Sequence, residues 1–580
     1  MATAEPTPAV PSSELHTALR RYWGYSSFRP LQEAVVRSLL AGHDACVVMP
    51  TGGGKSLCYQ LPAVVGERGG AHGEARGLTL VISPLIALMQ DQVAQLEQMG
   101  IAAAALHSAA PAGGARGGGD AAAPGAVWRA VCSGQVRLLY LSPERVARPD
   151  TIDWLKRAPL ARVVIDEAHC ISEWGHEFRP EYRQLSALRQ HFPHVPIAAF
   201  TASATRRVRH DILAQLAMRD PAKFIASFHR PNLRYWVHAC GRAKEAEAML
   251  EAALRSSLAA HAGAAAIVYA PTIARVEQTA AQLSARGIPA IAYHGKMEAQ
   301  ARRTTQERWM AGEVAVLVGT VAFGLGINKA DVRTVIHLAL PKSIEQYYQE
   351  AGRAGRDGDP AECVLLWQKR DLGLLAHFTE QIVDPDERER AWQRYHEVKR
   401  FAEQPACRHR QVCLHFGERP AWEQCGACDV CGYEPAWLQR PMPAAAPELP
   451  RPPARKAPPV EAAWKRHEQS GRPLPPIEAR PQATTGSDPA KSGEPPRFAA
   501  GAADAEGGEG GLREHLRAWR LETARAAKIP AYIVMHDRAL DELCRLQPRS
   551  LEELLEVPGF GERKVALYGE AILKLVSESI

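Results

Sequence analysis

Four groups of residues in this chain have the types and spacing of chemistry. The first is Met49-Pro-Thr-Gly-Gly-Gly-Lys-Ser56, where small residues let backbone N–H groups close on phosphate oxygens. Thr51, Gly52, Gly53 and Gly54 form the cradle, Lys55 is placed for the β- and γ-phosphates, and Ser56 can hold Mg²⁺ through its hydroxyl. Met49 stands where the general phosphate-loop pattern has glycine. The second group is Val163-Val-Ile-Asp-Glu-Ala-His169, in which one carboxylate can hold Mg²⁺ and its neighbour can polarise an attacking water. The third is Tyr347-Tyr-Gln-Glu-Ala-Gly-Arg-Ala-Gly-Arg-Asp-Gly358, whose Arg353 and Arg356 share one helical face and can reach a phosphoryl group across a cleft. The fourth is Cys425-Gly-Ala-Cys-Asp-Val-Cys431 with one further ligand upstream, a set for tetrahedral Zn²⁺. Cys407, Cys413, His409 and His415 all compete for that fourth position.

The elements that must hold these groups follow from the flanking patterns. Apolar runs precede both the glycine loop and Asp166, so both groups leave the carboxyl ends of buried strands, where open parallel sheets bind ligands. β-rich and helical stretches alternate on to about residue 370, which predicts two αβ lobes. Ahead of the loop, Tyr22 to Gln32 offers aromatic faces and a Gln32 amide suited to an adenine edge. Directly after the acidic pair comes Cys170-Ile-Ser-Glu-Trp-Gly-His-Glu-Phe-Arg-Pro-Glu-Tyr182, where aromatics can stack bases and an arginine can take phosphate.

Asp-Glu-Ala-His, the segment Ser83-Pro-Leu-Ile-Ala-Leu-Met-Gln-Asp-Gln92 and the aromatic tract together resemble the RecQ family of superfamily-two ATP-dependent DNA helicases. The resemblance implies two tandem RecA-like lobes that bind ATP and Mg²⁺ between them, with Asp166 on the metal and Glu167 on the water. It makes Arg356 the finger, with Arg353 and Gln349 also at the γ-phosphate. Trp174, His176, Phe178 and Arg179 match a loop that senses single-stranded DNA, Thr320 matches a phosphate contact, and Asp331 is expected near the interlobe ATP site. Tyr140-Leu-Ser-Pro-Glu144 and Phe200-Thr-Ala-Ser-Ala-Thr205 complete the first lobe, with Ser203 where threonine is usual. The family order of an early cysteine, then Phe416-Gly-Glu418, then the triplet selects Cys407 with Cys425, Cys428 and Cys431 as a closed, structural zinc site. Movement 3′ to 5′ on single-stranded DNA, forked DNA as substrate, and single-strand-binding or recombination proteins as partners belong to the same implication.

The expected organisation is a disordered N-terminus over 1–12, lobes over 13–210 and 211–370, a helical zinc module over 371–435, a linker over 436–510, and an all-α bundle over 511–580. The bundle resembles the helicase-and-RNaseD C-terminal domain. Residues 108–125, nearly all Ala, Gly and Pro, read as a flexible insertion, and the Pro/Ala-rich linker as disordered. That linker stands where the fullest family pattern carries a duplex-splitting winged helix, which leaves a strand-remodelling translocase as the alternative to an unwinding helicase. The net charge of +6 is too small over 580 residues to argue for nucleic acid by itself. An N-terminus without an apolar core, and no run of about 18 apolar residues, imply a cytoplasmic protein, at the nucleoid if bacterial, with no membrane partner.

Overall fold

The computed structural model describes residues 10–65, 77–106, 124–175, 178–261, 263–321, 323, 329–439, 509–527 and 529–579. The insertion and the linker expected from the sequence therefore lie largely outside the described residues, as does the N-terminal segment.

The first lobe is built on a parallel sheet of seven strands in the order β3-β4-β2-β5-β6-β1-β7. These are β1 (Ala45–Val48), β2 (Leu78–Ile82), β3 (Ala103–Leu106), β4 (Leu138–Leu141), β5 (Leu160–Ile165), β6 (Ile197–Thr201) and β7 (Ala222–Ile225). Every residue of β1, β2, β4 and β6 is buried, as parallel strands covered on both faces require. Alternation divides the strand between two cores: Cys46 and Val48 join one cluster, Ala45 and Val47 the other. Because β6 pairs with both β1 and β5, the loops leaving β1 and β5 emerge at the same edge, one strand apart. That spacing brings the glycine loop and the acidic pair together.

β7 pairs with β1 in this first sheet, Ala45 opposite Ala222. The lobe boundary therefore lies beyond Ile225, not at residue 210. An edge strand whose residues alternate between half-buried and exposed carries no apolar run to announce it.

The second lobe holds a six-stranded parallel sheet in the order β10-β11-β9-β12-β13-β8. Its strands are β8 (Leu233–Ala239), β9 (Ala265–Tyr269), β10 (Ala290–Tyr293), β11 (Val316–Gly319), β12 (Val332–His337) and β13 (Ala361–Trp367). The helix Ile344–Ala351 between β12 and β13 starts at a Ser343 cap, whose hydroxyl accepts from Gln346 N, and runs out into the segment carrying Arg353 and Arg356.

The zinc module follows the long helix Pro385–Glu403 with the helix Arg408–His415 and the turn Asp429–Cys431. It is joined to the second sheet by a bridge between Tyr235 and Cys428, and Tyr235 N donates to Ala427 O at 3.1 Å. Chain order continues past the expected module end at 435: the turn Ala436–Leu438 buries Trp437 to 1 % exposure. Its ring meets Trp236 edge-on and its Nε1 donates to Glu362 Oε2 at 3.2 Å.

The C-terminal helices Glu509–Ala527, Ala531–Val534, Asp537–Leu546, Leu551–Leu555 and Glu562–Glu578 enclose their own core of Leu512, Leu516, Leu540, Leu543, Phe560 and Ile572. This bundle rests on both lobes. Tyr532 donates to Asp91 at 2.5 Å and Tyr568 to Gln98 at 2.8 Å on the first lobe. On the second, Arg517 donates to Gly312 O at 2.8 Å and Lys329 lies 3.7 Å from Asp537. Asp331 pairs with that same lysine at 3.1 Å, so its neighbour is Lys329 and, through it, the bundle. Among the described residues no helix is long and apolar enough to cross a membrane.

Candidate active site

The glycine loop closes between β1 and the helix Lys55–Gln60. Gly53 N donates to Pro50 O at 2.9 Å, and Gly52 and Gly54 take φ values of +82° and +79°, which a side chain rarely adopts. Lys55 lies folded back with Nζ 3.2 Å from Met49 O. Burial pulls the pKa of Lys55 down, against the opposing pull of Glu167 and Asp166. Gln32, 4 % exposed, spends its amide on the loop: Nε2 donates to Gly53 O (3.3 Å) and Gly54 O (3.2 Å), and Oε1 accepts from Arg29 N (2.8 Å). The Gln32 amide thus holds the loop. Arg29, which the sequence reading passed over, donates to Gly52 O.

Asp166 directly follows β5 at 6 % exposure, and its Oδ1 accepts from Glu167 N at 3.0 Å. Glu167 sits at φ +48°, a left-handed conformation costly for a carboxylate residue, which turns the chain into the short helix Ala168–Ile171. Burial pushes the Asp166 carboxyl up to about 7; Glu167 adds to this and Lys55 opposes it. A carboxylate crowded in this way gains from a divalent cation. His169 Nδ1 lies 2.9 Å from Thr201 Oγ1 and 3.3 Å from Glu167 Oε2, linking the acidic pair to the end of β6.

The second lobe closes over this edge. A Cβ placed on Gly52 would meet Arg356 Cγ at 3.2 Å, so the arginine stem lies directly on the phosphate loop. Gln349 Nε2 donates to Ser203 Oγ at 2.9 Å across the lobes. Burial pulls the Arg356 guanidinium down to about 9, and the Arg353 and Arg230 charges pull it the same way. Several cations packed against the glycine loop raise the local positive potential, which suits a polyphosphate. The structure therefore brings Thr51, Gly52, Gly53, Gly54, Lys55, Ser56, Asp166, Glu167, Gln349, Arg353 and Arg356 to one cleft.

The expected DNA contacts are more dispersed. Trp174 carries the Arg207 guanidinium 3.0 Å from its ring centroid, with Arg390 at 5.3 Å. Phe178 is half-buried with Arg183 at 5.8 Å, Arg179 N donates to Cys170 O, and His176 lies outside the described residues. Thr320 is half-buried at the end of β11, its N–H donating to Tyr293 O at 3.4 Å.

The Sγ atoms of Cys407, Cys425, Cys428 and Cys431 lie within 4.8 Å of one another. Cys413 stands apart from them, fully buried. Ala427 N and Arg408 N point at Cys425 Sγ (3.3 Å) and Cys428 Sγ (3.5 Å), the donor environment of metal-bound thiolates. Four thiolates at this separation fit Zn²⁺ and leave no position for water. His238, Cys240 and Glu245 also lie within 4.8 Å, but there His238 Nε2 and Gly241 N satisfy the Glu245 carboxylate at 2.9 and 2.7 Å.

Four family descriptions match consecutive parts of the chain: DEAD/DEAH box helicase over residues 29–212, helicase conserved C-terminal domain over 247–358, RecQ zinc-binding over 369–432 and HRDC domain over 509–576. The ATP-dependent DNA helicase RecQ of Haemophilus influenzae is 42% identical over 400 residues, covering 69% of this chain and 60% of that protein. The chain belongs to the RecQ family. The RecQ protein of Pasteurella multocida is also 42% identical, over 69% of this chain and 59% of its own length. The chain thus spans about three fifths of these relatives. The Schizosaccharomyces pombe helicase hus2/rqh1 is 39% identical over 70% of this chain and 30% of that protein. Among solved structures, the DEAD-box helicase Mss116 bound to single-stranded RNA and UDP-BeF superposes with a TM-score of 0.51 at 15% identity, covering 69% of this chain and 82% of that one. At that identity it supports the two-lobed fold alone. The cysteine set is the zinc site of the RecQ zinc-binding region.

Proposed function

We propose that this RecQ-family chain is an ATP-dependent DNA helicase that moves 3′ to 5′ on single-stranded DNA and unwinds forked duplexes in recombination and repair. The observation that carries this reading is the approach of the two lobes at Gly52, where an added Cβ would meet Arg356 Cγ at 3.2 Å. The loop amides and Lys55 bind the phosphates of ATP, Ser56 and Asp166 hold Mg²⁺, and Glu167 orients water. Arg353 and Arg356 meet the charge that develops on the γ-phosphate, with Gln349 beside them. Because the site spans the cleft, nucleotide favours lobe closure and hydrolysis releases it. That cycle carries the strand along a path through Trp174, His176, Phe178, Arg179 and Thr320. A base stacking on the Trp174 face that Arg207 covers competes with that guanidinium, and Arg207 follows the Thr201 to Thr205 segment that touches Gln349, so strand occupancy and the ATP site share one connection. The protein works in the cytoplasm, at the nucleoid in a bacterium, with single-strand-binding or recombination proteins as partners.

The test is steady-state ATPase of the full chain with and without single-stranded DNA. Stimulation by DNA is expected, with loss of the stimulated rate in Lys55→Ala and a fall of about 10³-fold or more in Arg356→Ala. Equal rates with and without DNA, or a stimulated rate that survives Lys55→Ala, would overturn the reading.

A further inference from the structure

Arg230 lies in the segment connecting the lobes, between β7 and β8, outside every motif that the sequence singled out. Its guanidinium gathers carbonyls from both sides of the cleft. NH1 donates to Thr51 O at 3.3 Å on the phosphate loop and to Gly352 O at 3.4 Å; NH2 donates to Ala354 O at 3.1 Å and Gly355 O at 2.8 Å. The accepting residues of the second lobe alternate with Arg353 and directly precede Arg356. Asn232, whose Oδ1 accepts from Arg230 Nε, donates to Gly355 O and Asp359 O at 2.9 Å each. Five donors in a rigid fork can hold several carbonyls at fixed positions, which a lysine cannot.

The main chain of Arg230 is held from the other side by the zinc module. His409 Nε2 donates to Arg230 O at 3.1 Å, while Nδ1 of the same ring lies 3.2 Å from Cys425 Sγ. The ring is wedged edge-on against Tyr235 and His229. Around it the module grips the same segment again: Glu418 accepts from Ser227 Oγ at 2.6 Å and Phe228 N at 2.7 Å, and Phe416 stacks on Phe228 at 4.3 Å.

We propose that Arg230 is the positioning residue that aligns the phosphate loop with Arg353 and Arg356, and that the zinc module sets Arg230 through His409. This rests on the ATPase reading above. The zinc module then acts on hydrolysis as well as on folding, through His409, Arg230 and the carbonyls of both lobes. Misaligned arginines lose their effect on the charge developing in the transition state more than on bound ATP, so the defect belongs in kcat.

The experiment compares full-length wild type, Arg230→Ala, Arg230→Lys, His409→Ala and His409→Gln by DNA-stimulated ATPase, zinc content and amide hydrogen exchange. Arg230→Ala is expected to lower kcat by about 10- to 100-fold while KM for ATP stays within about threefold, and Arg230→Lys to recover only part of the loss. His409→Ala is expected to lower kcat by about 3- to 10-fold at one zinc per chain, with His409→Gln, which can still donate to the carbonyl, close to wild type. Exchange, which needs no activity, is expected to rise in both the phosphate loop and the 352–358 segment of Arg230→Ala. A kcat within twofold of wild type in a DNA-stimulated enzyme overturns this proposal and leaves the ATPase reading standing. If wild type shows no stimulation, the ATPase reading fails, and exchange decides Arg230: unchanged protection in both segments overturns its role. Should Arg230→Ala not fold, Arg230→Lys takes its place, and a KM and kcat that fall together with thermal stability count against positioning.

Discussion

Gly52 shows how narrow the tolerances at the nucleotide cleft are. At φ +82°, with Arg356 Cγ 3.2 Å from where a Cβ would stand, Gly52→Ala strains the backbone and pushes on the arginine at once. The expected result is a fall in DNA-stimulated kcat of about 10-fold or more with zinc content unchanged, read by ATPase and metal analysis. At this scale most of the site was legible. The glycines, Lys55, Ser56, the acidic pair, the two arginines and the cysteines stand out because the chemistry proposed for them demands those residue types at those spacings. Arg230 and Arg29 were illegible for a matching reason: they hold main-chain carbonyls, which every residue has, on segments brought together only by the fold, and His409 was seen as a zinc-ligand candidate but not as a partner of the Arg230 carbonyl. Gln32 was seen, but the carbonyls of Gly53 and Gly54 that its Nε2 meets were not.

Among elements, the strands that position the site were the most legible, since β1, β6 and β11 are buried along their whole length and β5 over its last three residues, just before Asp166. β7 and the turn Ala436–Leu438 escaped because one is an exposed edge and the other hangs on a single tryptophan within a Pro/Ala-rich stretch. Trp437 caps the second lobe by burying its ring against Trp236 and bonding Glu362. Trp437→Ala is expected to destabilise that lobe by about 3 kcal/mol, visible as a lower urea midpoint. In the zinc module, Cys428→Ser removes a ligand that is also hydrogen-bonded to Arg408 N. Zinc content is expected to fall to near zero, with release of the helix Arg408–His415 to exchange; retained zinc would count against a four-thiolate shell.

At the scale of the whole molecule, the C-terminal bundle bridges both lobes through polar contacts, which makes its seat titratable. Burial pushes the Asp91 carboxyl up to about 6, against the lowering effects of the Tyr532 hydrogen bond and the Arg303 charge. A carboxyl raised on docking holds its proton in the docked state and loses it on release to water. The docked state is therefore favoured at low pH, and its advantage declines as pH rises from about 4 to about 6, by at most roughly 3 kcal/mol. Scattering measurements are expected to give a larger radius of gyration at pH 7.5 than at pH 5, and Asp91→Asn to abolish the trend. The bundle was legible as an all-α segment over 511–580, but its seat was not, because Tyr532, Tyr568 and Arg517 meet partners hundreds of residues away.

The central claim is that the two-lobed cleft drives strand separation. Its most direct measurement is release of the labelled strand from a forked duplex with a 3′ single-stranded tail, by the full chain with ATP and Mg²⁺. ATP-dependent release that requires the 3′ tail and vanishes in Lys55→Ala is the predicted result. Vigorous DNA-stimulated hydrolysis without strand release would contradict it and identify a translocase that remodels strands.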